Sequence, residues 1–199
     1  MQIAVHRKGI KFHPDASRVI TRFLHINDER SRNLINSILK MTERESAFLL
    51  YQVLRDYSTR HRNISKIFIN HYHKVAHLLV SLNVDPGTVD IPRQILIGSY
   101  FTSEYSIESA AFFNPSIVEH PDQSETGPGE KRVIFSFRAT GEGHISSIVF
   151  RTGILGKSGD FKVEPIGRML EEAEHIMDHH YDKKSFKHKL EEMQDMQTA

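Results

Sequence analysis

Residues 109–151 have the sequence SAAFFNPSIVEHPDQSETGPGEKRVIFSFRATGEGHISSIVFR, and this stretch decides the predicted fold. β-Branched and aromatic residues fill two runs, 133–137 and 145–151, and a polar, glycine-containing segment at 138–144 separates them. Two such runs joined by glycines are typical of a β-hairpin. The sequence therefore predicts antiparallel strands here, with polar side chains held at the end of the hairpin.

Polar side chains are concentrated at the predicted hairpin turn. Arg138 ends an apolar run, and an arginine is costly to bury without a partner. It must therefore reach solvent, a ligand or an acid, and Glu142 is close enough in sequence to form a local ion pair. Ser146 and Ser147 point to opposite faces of a strand, so only one of them can face a site at this turn.

Two sequence blocks also indicate a family. FNPSIVEHPDQS at 113–124 and FSFRATGEGHISSIVFRTG at 135–153 resemble the first conserved blocks of glycoside hydrolase family 130. The similarity is greatest to long, mostly bacterial members with a helical N-terminal extension, and it is strong from about residue 100 to residue 153. The resemblance implies a five-bladed β-propeller that acts on β-mannosides, by phosphorolysis to mannose 1-phosphate or by hydrolysis.

The resemblance also implies which residues bind substrate. On the sequence pattern alone, Asn114 before Pro115 is a turn former with an extended backbone; the family motif instead implies that its amide binds sugar hydroxyls. Arg138 would contact the glycone, since a planar guanidinium can donate to two adjacent hydroxyls. The remaining residues of the predicted subsite are Glu142, His144 and Ser146. Residues 139–146 depart from the shorter mannoside phosphorylases, which leaves the exact substrate open.

No catalytic residue is assigned. Glycoside cleavage needs a proton donor, and phosphorolysis uses inorganic phosphate as the nucleophile. Glu119 and Asp122 are the carboxylates nearest the Asn-Pro block, but a Pro- and Gly-rich loop predicts that both are solvated. In the family the catalytic Asp and the phosphate-binding residues come from later blades, and no Gly-Ile-Glu-Asp-Pro-Arg block occurs before Ala199.

The number of predicted strands is too small for a complete propeller. A five-bladed propeller needs about twenty strands at four per blade, whereas this sequence predicts about five or six. We therefore expect the N-terminal part of a longer enzyme, inactive by itself, that takes an oligosaccharide substrate and no cofactor besides phosphate as co-substrate. The alternative is a non-catalytic module for carbohydrate binding or oligomerisation.

The predicted class is α+β. An extended or β segment at 1–26 precedes a helical subdomain at 27–104, where Asn27 or Asp28 caps a first helix and Thr42 with Glu45 forms a capping box for a second. A helical pattern then runs from 63 to 82, and another from 92 to 101. From Ser109 the hydrophobic period changes from 3.6 to 2. An antiparallel region at 105–164, predicted to be the first propeller blade, is followed by a helical tail at 165–199.

Composition narrows the function class. The chain has 199 residues, 39% of them hydrophobic, and a net charge of +1. The absence of cysteine excludes disulfides, zinc–thiolate sites and a cysteine nucleophile. No apolar signal segment and no apolar window of about 20 residues occurs, so we expect a cytoplasmic location and no membrane partner. Scattered basic residues argue against nucleic acid, and a homo-oligomer remains open.

Thirteen histidines raise the question of a metal site. Glu172, His175 and His179 are spaced to share one helical face, and His73 and His77 are four residues apart, a spacing that can bind a metal. No HExxH motif occurs and the family needs no metal. We therefore predict no metal site and expect the histidines to be surface or capping residues.

Overall fold

The computed structural model describes residues 8–167, 169–170 and 187. Helices and strands both occur, so the mixed helix-and-sheet class is confirmed. Most of the predicted helical tail at 165–199 lies outside the described residues. Within the described part, the helices are α1 (Asp28–Leu39), α2 (Glu43–Ser58), α3 (Ile64–Val75), α4 (His77–Val80) and α5 (Ile91–Tyr100), and the strands are β1 (Val19–Phe23), β2 (Thr102–Ser106), β3 (Ala111–Glu119), β4 (Lys131–Thr140), β5 (Ser146–Leu155) and β6 (Phe161–Val163).

Side-chain caps fix where the helices begin. Asn27 accepts a hydrogen bond from the Arg30 N–H at 2.9 Å. Thr42 and Glu45 form the predicted capping box, in which the Glu45 carboxylate also accepts from the Thr42 N–H at 2.8 Å. These contacts satisfy N–H groups that a helix cannot pair internally. Both predicted helix starts are therefore confirmed.

The helix predicted over 63–82 is interrupted. It is divided into α3 and α4 at Ala76, and the chain enters α3 through Asn63, whose φ of 53° lies in the left-handed region. Asparagine occupies that region more readily than most residues. The helices enclose one core, whose fully buried side chains include Tyr72, Leu79 and Phe101. No helix among the described residues is both long enough and apolar enough to cross a membrane.

A two-stranded antiparallel sheet joins the N-terminal segment to the end of the helical region. β1 pairs with β2 from Val19 opposite Ser106 to Phe23 opposite Thr102. The sequence pattern did not predict β2, because Thr102–Ser106 is a polar run without clear alternation. The predicted boundary between residues 104 and 105 falls inside this strand.

The second sheet has four antiparallel strands in the order β3-β4-β5-β6. β4 continues to Thr140, three residues past the predicted strand end at Phe137, because Arg138, Ala139 and Thr140 still pair with β5. The turn between β4 and β5 is therefore shorter than predicted. The described residues contain no closed barrel or propeller, and the prediction of a propeller blade stays a prediction.

The two faces of the four-stranded sheet differ. One face is buried: Phe12 packs against it, with ring centroids 5.0 Å from both Phe135 and Phe137. The opposite face, called here the outer face, carries Phe113, Val118, Arg138, Ser146, Ile148 and Phe150. Its apolar side chains are exposed, with Ile148 at 72% and Phe150 at 60%.

A buried ionic cluster connects the two sheets. Glu108, which is 0% exposed, lies just after β2. Its Oε1 is 3.1 Å from Arg18 Nη1, and its Oε2 accepts a hydrogen bond from Arg151 Nη2. The Asp15 N–H also donates to Oε2, at 3.3 Å. A single carboxylate thus joins the segment before β1 to β5 of the other sheet.

Removal of this carboxylate charge is expected to destabilise the fold strongly. Glu108→Gln leaves Arg18 and Arg151 buried without an anion, so the free energy of unfolding should fall by ~3–5 kcal/mol. Urea denaturation measures this change. The matched control is Glu119→Gln in the exposed pair with Lys131, which should cost less than ~1 kcal/mol. Equal losses in the two variants would contradict a structural role for the cluster.

Candidate functional site

The five predicted sugar-binding residues lie in or beside the end of the four-stranded sheet at the β4–β5 turn. Arg138 is two residues from the end of β4, and Ser146 is the first residue of β5. Glu142 and His144 lie in a short 3-10 turn between these strands. Asn114 lies in β3, one residue after Phe113, which is directly opposite Arg138.

Asn114 lies at an irregularity of β3. The register shifts between Phe113 and Ser116, where Asn114 and Pro115 together face one residue of β4. Such an extra residue makes a β-bulge, and Pro115 has no N–H to give to the ladder. Asn114 has a φ of 49°, so its backbone is left-handed and not extended as the following proline predicted. Its side chain is exposed.

Arg138 is exposed on the outer face. Its guanidinium carbon lies 5.2 Å from the centroid of the Phe113 ring, which is a cation–π contact. Among the described residues, no ion pair or hydrogen bond engages its guanidinium, so the local pair with Glu142 is not formed. The N–H donors of Arg138 are consequently available to a ligand.

The backbone of the β4–β5 turn is fixed, whereas the side chains of Glu142 and His144 are exposed. The Tyr105 hydroxyl of β2 donates to the Glu142 carbonyl at 2.7 Å. Gly141 packs so closely that a Cβ there would lie 2.3 Å from the Ser106 carbonyl oxygen. The turn therefore presents a carboxylate and an imidazole from a rigid base.

Of the two adjacent serines, Ser146 is the one that shares the outer face with Arg138. Ser146 is directly opposite Thr140, and Ile148 is directly opposite Arg138. Because residues two positions apart on a strand share a face, Ser146 lies on the same face as Ile148 and Arg138. Ser147 lies on the buried side. Sequence reasoning missed the aromatic part of this face, namely Phe113 and Phe150. The alternation of Ser146, Ile148 and Phe150 along β5 was the available signal, since every second residue shares a face.

The carboxylates near the Asn-Pro block are not suited to donate a proton. Glu119 is exposed and pairs with Lys131 at 2.7 Å. Asp122 accepts from the Ser124 N–H at 2.8 Å, and hydrogen bonds from Ser124, with the Arg132 charge, lower the pKa of Asp122. It is thus held as a carboxylate at neutral pH. This arrangement leaves the general acid unassigned.

Histidines in the described part of the chain do not assemble into a metal site. No group of three or more potential metal ligands occurs among the described residues, and Glu172, His175 and His179 lie outside them. His71 is buried, with Nδ1 2.6 Å from Thr102 Oγ1. The Thr102 hydroxyl itself donates to the Gly98 carbonyl at 2.8 Å. The proton between His71 and Thr102 therefore belongs to His71 Nδ1.

The burial of His71 makes stability depend on pH. Burial lowers the pKa of His71, and the nearby Lys74 ammonium lowers it further. A lowered folded-state pKa favours the neutral ring. The neutral His71 ring therefore contributes to stability fully at pH values above the pKa of histidine in the unfolded chain, about 6.5. This contribution is lost as the pH falls below that pKa. Between pH 7.5 and pH 5.5, the free energy of unfolding should fall more for wild type than for His71→Gln. Equal falls in urea titrations would exclude this effect.

Comparison with known proteins gives no match to this chain among family models, curated proteins or solved structures. The support for a function therefore consists of the two sequence blocks at 113–124 and 135–153 and of the geometry at the β4–β5 turn. That geometry is an exposed arginine over an aromatic ring, with an asparagine in a bulge beside it.

Proposed function

We propose that this chain forms part of a carbohydrate-active enzyme that acts on β-mannosides, by phosphorolysis or by hydrolysis. In this proposal the outer face of the four-stranded sheet supplies part of the glycone subsite, with Arg138 and Asn114 as its main hydrogen-bonding residues. The observation that carries the proposal is the exposed Arg138 guanidinium, 5.2 Å from the exposed Phe113 ring. The resemblance to glycoside hydrolase family 130 supplies the substrate class.

A sugar suits this arrangement for two reasons. Ligand sites combine apolar or aromatic surface with a few placed polar groups. Phe113 offers a flat apolar surface to the C–H groups of a pyranose ring. Arg138 offers a planar fork of donors that matches two neighbouring hydroxyls. Ser146 lies on the same face as both, and a hydroxyl can donate to or accept from a sugar.

The strand order supports the proposed propeller blade. Each blade of a β-propeller is a four-stranded antiparallel sheet. The strands β3 to β6 follow one another in both sequence and space, as the up-and-down order of a blade requires.

The proposed reaction divides the roles between residues of this chain and residues elsewhere. Arg138, Asn114 and Ser146 would hold and orient the glycone, while Glu142 and His144 would line the site from the turn. A proton donor to the leaving oxygen is still required. The geometry of Glu119 and Asp122 does not supply it. Inorganic phosphate or water would then attack the anomeric carbon.

The binding role of Arg138 can be measured on this chain. Methyl β-mannopyranoside is titrated against isotope-labelled protein and followed by NMR shifts. Arg138→Ala should weaken binding ~10-fold or more, because a hydrogen bond to a charged group contributes about 1.5–3 kcal/mol. Arg55→Ala is the matched control, since Arg55 is an exposed arginine of α2 that pairs with Asp56 at 3.4 Å. An unchanged dissociation constant in folded Arg138→Ala would overturn the glycone role.

The dependence of turnover on inorganic phosphate distinguishes phosphorolysis from hydrolysis. In a longer version of the chain, turnover that needs inorganic phosphate and releases a sugar 1-phosphate would identify a phosphorylase. Turnover without phosphate would identify a hydrolase. The present chain is expected to give neither. Stabilisation by sugar without turnover in the longer protein would favour the non-catalytic module.

A second candidate, an oligomerisation module, is favoured by the surface of α2. Phe48 and Tyr51 lie one turn apart and are 61% and 63% exposed. Exposed aromatic side chains in one patch are typical of protein interfaces. If α2 mediates self-association, sedimentation equilibrium will show a dimer that Phe48→Glu dissociates. A monomer for wild type at all concentrations tested would exclude this function.

A further inference from the structure

A cleft of about 780 Å³ lies between β1 and α3, away from the outer face. Val19 and Thr21 line it from β1. Lys66, Asn70 and Lys74 line it from α3, and because these three positions are four residues apart they share one face of the helix. The cleft has no residue in common with the proposed sugar site.

The strand pair β1–β2 is closed by backbone hydrogen bonds at both ends. The Leu24 N–H donates to the Phe101 carbonyl at 2.8 Å, and the Ile107 N–H donates to the Arg18 carbonyl at 3.3 Å. In an antiparallel pair, residues alternate between those that bond to the partner strand and those that face away. The even-numbered residues from Arg18 to Leu24 are therefore the ones bonded to β2.

The odd-numbered residues leave one edge of β1 open. Val19, Thr21 and Phe23 direct their N–H and C=O groups away from β2, and two of these residues line the cleft. No other strand of the described chain pairs with this edge. Unpaired strand edges are ready to accept a further strand.

The cleft is also positively charged. Lys66 and Lys74 line it, and none of its described lining residues is an aspartate or glutamate. Lys66 is exposed and forms no ion pair with another described residue. The Lys74 ammonium lies 5.0 Å from the centroid of the Phe23 ring, which places its charge close to the open edge of β1.

The acid that β2 places opposite β1 is already neutralised. Glu104 of β2 is directly opposite Thr21. The Arg60 guanidinium holds both of its oxygens, at 2.6 and 3.0 Å, and His61 Nε2 lies 2.7 Å from Oε1. Within the described part of the chain, Lys66 and Lys74 therefore have no ion-pair partner, which suits the binding of an external anion.

We propose that the cleft binds an extended acidic peptide of a partner protein, which adds to the open edge of β1 as a further strand. Strand addition is an established way to bind peptides, with main-chain bonds giving affinity and side chains giving specificity. Lys66 and Lys74 are about 12 Å apart along the helix, and an extended peptide covers that distance in about four residues. Carboxylates at alternate positions can therefore reach both lysines.

The test uses a fluorescein-labelled decapeptide of alternating glutamate and valine, with fluorescence anisotropy as the measurement. The folded wild-type chain should bind it and should not bind the matched lysine–valine peptide. The double variant Lys66→Glu, Lys74→Glu should weaken binding at least ~10-fold. The charge control is Lys162→Glu on β6, an exposed lysine outside the cleft, which should bind as wild type does.

A second variant tests strand addition separately from charge. Thr21→Pro removes an N–H that faces away from β2, so the β1–β2 ladder keeps its bonds and proline is tolerated at such an edge. Binding should weaken at least ~5-fold while the melting temperature stays near that of wild type.

Several results would overturn the proposal. They are the absence of peptide binding to wild type, unchanged affinity in the double lysine variant, and unchanged affinity in folded Thr21→Pro. A ten-residue oligothymidylate is the competing ligand. If it binds the wild-type chain as tightly as the acidic peptide or more tightly, and Thr21→Pro does not weaken its binding, the cleft is a nucleic-acid site instead. Weaker binding in both variants, with Lys162→Glu unaffected, would establish the peptide site.

Discussion

The carboxylate of Glu108 is the constraint on which the arrangement of the two sheets depends. It is fully buried between Arg18 and Arg151, which belong to segments more than one hundred residues apart in sequence. Burial of charged groups is tolerated only when partners and hydrogen bonds compensate for lost hydration. Separation of the sheets would leave three charges without compensation, so the cluster specifies one relative placement. The Arg151 guanidinium also lies 5.0 Å from the centroid of the Phe112 ring, which extends the same contact to β3.

This placement determines the geometry of the candidate site. With β2 held beside the four-stranded sheet, the Tyr105 hydroxyl reaches the carbonyl of Glu142 and the β4–β5 turn is anchored from outside its own sheet. A rigid scaffold that carries exposed polar residues at its loops is the common arrangement of binding sites. The cleft between β1 and α3 borders the same strand pair. The strand pair thus contributes to both proposed sites. β2 supports the sugar site through the Tyr105 side chain, and β1 supplies an unpaired backbone edge to the peptide site.

Local rules predicted the elements whose signals are local. The two helix starts near residues 27 and 42 and the strands at 133–137 and 145–151 were predicted because capping and alternation depend on neighbouring residues. β2 was not predicted, because a polar five-residue strand forms only through its pairing with β1, more than eighty residues away. Arg138 was placed in a turn because its charge suggests a loop, whereas the ladder with β5 carries it through as a strand residue. The cation–π contact between Arg138 and Phe113 and the cleft between β1 and α3 depend on strand register and on packing. Neither can be predicted from a short stretch of sequence.

The bulge in β3 has a consequence for how copies of this chain behave at high concentration. β3 is an edge strand and carries exposed Ile117 and Val118, a combination that favours stacking into fibrillar aggregates. The left-handed backbone at Asn114 and the missing amide of Pro115 break the regular spacing that another strand would need. The irregularity at Asn114 and Pro115 therefore also protects this edge from self-templated aggregation.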